Sequence, residues 1–77
     1  MSNIKLIWDF HGPEAKGTAQ HHAIHLREFA QREQLSTDEC GDEALGPEHH
    51  LAWMIVTQAE MPIVRDALRP HRGVLAE

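Results

Sequence analysis

The sequence predicts an α+β domain in which strands and helices follow the order β-α-β-β-α-β. Three features carry that reading. An apolar run alternates with period two near the N-terminus, a stripe of spacing three and four follows it, and the strand-then-helix signal recurs after a Gly46-Pro47 break.

Ile4 to Phe10 is the first strand. Ile4, Leu6, Trp8 and Phe10 share one face, with Lys5, Ile7 and Asp9 on the other. Gly12-Pro13 breaks it, and proline suits the first turn of the helix that runs from about Pro13 to Gln34. Glu14 favours the dipole there. Ala15, Ala19, His22, Ala23, Leu26, Phe29 and Ala30 form the stripe, and Ile24 falls almost opposite it. Gly17, unfavourable in a helix by roughly 1 kcal/mol, is expected to permit close packing on the sheet.

Between Leu35 and Leu45 the segment Ser36 to Glu43 is acidic and poor in strand formers, as an edge strand can be. His50 to Val56 is a strand apolar on both faces, so one face needs cover from outside the chain's own helices. A second helix spans roughly Gln58 to Arg69, with Ile63, Val64, Ala67 and Leu68 as its buried stripe. Pro62 is tolerable in its first turn, and Pro70 ends it. His71 to Leu75 is the final short strand. Two such crossover units make a ferredoxin-like sandwich: a four-stranded antiparallel sheet with two helices on one face. Residues 1–77 form one such domain.

Size and charge narrow the function. A chain of 77 residues buries only about 60% of its unfolded surface, so a metal or a partner subunit is a natural supplement. Internal disulfides are excluded, because Cys40 is the only cysteine. Twelve acidic against seven basic residues give a net charge of −5, without the cationic footprint that nucleic acid requires. There is no polybasic run, no apolar stretch of about 20 residues and no signal-like N-terminus, so neither a membrane nor a secretory route is expected. The expectation is a cytoplasmic, soluble protein.

A homodimer is expected on the same grounds. Ile7, Ile24 and one alternate set of His50 to Val56 are apolar positions that two helices cannot all cover. Trp8-Asp9-Phe10, the His-rich first helix and the closing Arg65-Asp66-Ala67-Leu68-Arg69-Pro70-His71-Arg72-Gly73 give the chain its resemblance. It resembles small uncharacterised bacterial proteins of the dimeric α+β barrel type. In that superfamily two sheets pack face to face, and members include cofactor-free oxygenases, isomerases and haem enzymes. The resemblance implies a dimer and a pocket, without a reaction.

Seven histidines are the compositional outlier. His21 and His25 are i,i+4 neighbours on the first helix, and His22 and His25 are i,i+3 neighbours. The peptidase pattern would need Glu where His22 stands, so a zinc peptidase is not expected. Taken alone, two helical histidines are half of a four-ligand site at most, and a solvated helix face is the preferred reading. Topology adds weight: the ends of the predicted strands bring His11, His49, His50 and His71 to one end of the fold. His22 lies about 14 Å down the helix.

The candidate metal ligands are therefore His11, His22, His25, His50 and His71, for zinc or another divalent transition metal. Asp9 is a candidate for orienting a histidine through its far nitrogen, and Arg72 for holding an anionic ligand. Cys40, in an acidic segment, is a poor nucleophile, and the acidic run lacks EF-hand spacing. The leading expectation is a homodimeric binding protein with a histidine-lined cleft for a divalent metal or small anion. The alternatives are a barrel-type enzyme using His22, His50 or His71, and an interaction module with no ligand.

Overall fold

A computed structural model describes residues 3–37 and 39–76. The elements are β1 (Asn3–His11), α1 (Ala15–Arg32), β2 (Cys40–Gly46), β3 (His49–Thr57), α2 (Met61–Leu68) and β4 (Arg72–Ala76). The four strands form one sheet in the order β2-β3-β1-β4, every neighbouring pair antiparallel. This is the ferredoxin-like βαββαβ arrangement. Of the acidic stretch expected as an edge, Asp38 lies outside the described residues, and Cys40 to Gly46 is the edge strand. No helix among the described residues is long and apolar enough to cross a membrane.

The sheet's alternation sorts the core. Leu6 and Trp8 of β1 and Ala52, Met54 and Val56 of β3 join Ala19, Leu26, Phe29 and Ala30 of α1 and Val64 of α2 in one buried cluster. Both helices therefore cover the same face. The stripe expected on α1 holds, and Ile24, opposite it, is 58% exposed. Gly17 differs from expectation: it faces open space, with nothing within 4 Å of where a Cβ would stand.

α2 also differs. It starts at Met61 rather than Gln58, and its inward residues are Met61, Val64 and Leu68, at spacings of three and four. That rotates the helix so that Ile63 is 51% exposed and Ala67 faces solvent, although both were expected inside. Its end is tied down by the Trp8 indole N–H, which donates to the Leu68 carbonyl at 2.8 Å. Arg69 then turns left-handed at φ 50, as the proline after it requires a break from helix. Ahead of α2, Glu60 accepts from the Ser36 N–H at 2.7 Å and from its hydroxyl at 3.0 Å. Burial works to raise the Glu60 carboxyl, but these bonds and those with Thr57 hold it below its usual range.

The other face of the sheet has no helix. Ile7 and Leu51 nevertheless are only 4% and 3% exposed. Trp53, opposite Ile7 in register, lays its indole across β2, where a Cβ on Gly41 would sit 2.8 Å from the ring. Lys5 stands over that ring at 5.2 Å and reaches toward Glu43 at 3.8 Å. Ile7 was expected as bare apolar surface. Instead it is buried within the single chain.

Candidate functional site

The register of β1 on β3 pairs His11 with His49 and Phe10 with His50. Together with His71, just before β4, these histidines do meet at one end of the sheet. Alternation then divides them, because neighbours on a strand point to opposite faces.

On the helix-free face, Asp9 is a hub. Arg72 donates to its two carboxylate oxygens from Nε at 3.0 Å and from a terminal nitrogen at 3.1 Å. His49 Nε2 lies 2.8 Å from Oδ1. The Arg72 hydrogen bonds, opposed by burial and helped by His49, lower the Asp9 carboxyl to about 2. Asp9 is therefore an acceptor at neutral pH, so His49 donates from Nε2 and Nδ1 carries the lone pair of the neutral ring. The His11 ring stacks on that of His49, centroids 4.3 Å apart. The Asp9 backbone N–H donates to His71 Nδ1 at 2.9 Å, which leaves the proton of neutral His71 on Nε2.

On the helix face, His50 is 7% exposed and its Nε2 lies 2.7 Å from Asp42 Oδ2. His49 and His50 thus take separate carboxylates on opposite sides of the sheet. His22 wedges against Trp8 and Phe10, with ring centroids 5.1 and 5.6 Å away, and Phe10 separates it from His71. Its Nε2 is buried with no hydrogen-bond partner. Burial first, and then the nearby His25, His71 and His21, push the His22 ring below its usual value. His25 is elsewhere, on the exposed face of α1, with Nε2 2.9 Å from that of His21 and Nδ1 3.4 Å from Glu28.

The candidate ligands are therefore distributed. His11 lies with His49 on one face, His50 and His22 lie on the other, His71 packs at the end between them, and His25 stands apart. No group of three or more His, Cys, Asp or Glu side chains placed to hold a metal occurs among the described residues. Asp9 is salt-bridged to Arg72 and also meets a histidine, but that histidine is His49, which was not among the candidate ligands. The signal was present in parity: Asp9, His11 and His49 share a face once β1 pairs with β3. Arg72, considered for an anion, is committed to Asp9 instead.

No protein-family model, curated protein or solved structure matches this chain.

Proposed function

We propose that the protein is a homodimeric binding protein for a divalent transition metal, held at the Asp9 end of the sheet. The observation that carries this is the 2.8 Å contact between His49 Nε2 and Asp9. A carboxylate behind an imidazole sets the tautomer and raises the basicity of the other nitrogen, the usual support for a metal-bound histidine. His49 Nδ1 is then the primary donor, and His11, stacked on the same ring, becomes the second by turning out of the stack. The two-donor set leaves positions for water. A small anion is disfavoured here, since both Arg72 bonds go to Asp9 and the chain carries net negative charge.

Zinc titration followed by the histidine ring signals and by calorimetry tests this. The expected result is a shared response of His49 and His11, lost in His49→Ala, weakened tenfold or more in Asp9→Asn, and unchanged in His25→Ala. Affinity should fall in acid, because the ligand must be neutral imidazole. At a hundredfold excess over Kd, zinc should add about 2.7 kcal/mol to folding. Binding that survives His49→Ala, or that His25→Ala abolishes, overturns the assignment.

A further inference from the structure

The sheet has two edges, and they are unequal. At β2 a bulge between Ala44 and Gly46 interrupts the ladder, and Asp42 and Glu43 bring negative charge. Bulges and charges are what keep a sheet edge from pairing with another chain. β4 has no bulge, and its one charged residue, Arg72, is tied to Asp9. Its ladder with β1 runs without a shift from Arg72 to Ala76, and Gly73, Val74, Leu75 and Ala76 are uncharged. Val74 is 44% exposed and Leu75 68%, on opposite faces of the strand.

Beside this edge lies a groove of about 400 Å³ between β4 and α2, with Ile4, Leu6, Met61 and Leu75 among its walls. Gly73 forms part of it: a Cβ there would stand 3.3 Å from Leu6 and 3.5 Å from Ile4. A glycine notch and a protruding leucine therefore sit two residues apart on the same face of one strand.

We propose that two copies of this chain join β4 to β4 across a two-fold axis, continuing the sheet from four strands to eight. This rests on the homodimer reading above and names its interface. A two-fold perpendicular to the sheet keeps each residue on its own face, so residues directly opposite must have the same parity. Centring the pair on Val74 meets that condition and sets Leu75 opposite the partner's Gly73. Leu75, with no side chain facing it, then fills the partner's groove, and the partner's Leu75 fills this one.

For two copies, charge favours the β4 edge over the β2 edge. Pairing two β2 edges would oppose acidic strands on a chain of net charge −5. Pairing two β4 edges brings together one charged residue from each, Arg72, already neutralised by the two bonds to Asp9. The backbone groups along the outer edge gain partners, and Leu75, the most exposed large apolar residue among the described residues, is covered.

Light scattering at micromolar concentration and a disulfide trap test the interface. The wild-type chain should run at twice its monomer mass. Leu75→Asp should weaken association at least tenfold with its secondary structure retained, because Leu75 is surface in the monomer. Val74→Cys should give a covalent dimer under mild oxidation, since directly opposed antiparallel residues have Cα atoms about 4.5–5.5 Å apart, within disulfide reach. A monomeric wild type overturns the homodimer and this interface together. A dimer that Leu75→Asp leaves intact overturns β4 alone, and one that Val74→Cys does not cross-link overturns the register.

Discussion

A single carboxylate organises the end of the sheet where the histidines gather. Asp9 takes two bonds from Arg72 and one from His49, while its own N–H orients His71. Its folded pKa of about 2 lies below the ordinary 3.8, so the ionised form stabilises the fold. That contribution is present in full above about pH 4 and is lost as pH falls through 2. Asp9→Asn should therefore cost about 1–2 kcal/mol at pH 7, an amount reduced by solvent screening at this partly open site. Urea melts of both proteins at pH 7 and pH 2 should show the gap closing in acid; a gap that persists at pH 2 would assign the loss to packing instead. His22 behaves in a related way. Its depressed pKa means that the neutral ring is the stabilising form, present above about 6.5 and lost as pH falls through the lowered value.

Among the elements, β2 and β3 show how one glycine decides the position of one ring. Trp53 crosses β2 where Gly41 presents no side chain. Gly41→Ala would place a Cβ 2.8 Å from Cζ2 of the indole, closer than the atoms can stand, so the ring must shift. The expected cost is about 1–2 kcal/mol, with a red shift in tryptophan emission as the indole leaves the sheet. Emission and melting unchanged from wild type would show that the position of the indole is not held by this contact. α2 illustrates the opposite case, an element whose existence was clear and whose rotation was not. Starting at Met61 moves its inward stripe to Met61, Val64 and Leu68, and Ile63 is left outside.

For the molecule as a whole, the two faces of the sheet are closed by different means. Helices cover the even residues of β1, whereas on the opposite face side chains of the sheet itself meet, Lys5 with Trp53 and Glu43, and Asp9 with Arg72 and His49. Ile7, at 4% exposure, is therefore interior in one chain. Ile7→Glu should lower folding stability by about 3 kcal/mol, the cost of placing a polar group there without a partner. Thermal melts at two protein concentrations a hundredfold apart should show the same loss at both. A loss that appears only at the lower concentration would make Ile7 an interface residue instead of an interior one.

Periodicity and the punctuation of Gly12-Pro13, Gly46-Pro47 and Pro70 by themselves pointed to five of the six elements and their order, because apolar spacing is a local property of the chain, whereas β2, acidic and poor in strand formers, carried no such signal. They also brought four histidines to one end of the sheet. What only the tertiary structure decided was which of them share a face and which partner each finds. His49 finds Asp9 across a strand pair, His50 finds Asp42 on the other side, and His22 is enclosed by Trp8 and Phe10. The physical reason is that strand register sets parity between distant segments, and a shift of one residue would exchange every one of these partners. Burial of Ile7 belongs to the same class. It is a property of the assembled sheet, which the spacing of apolar residues along β1 does not encode.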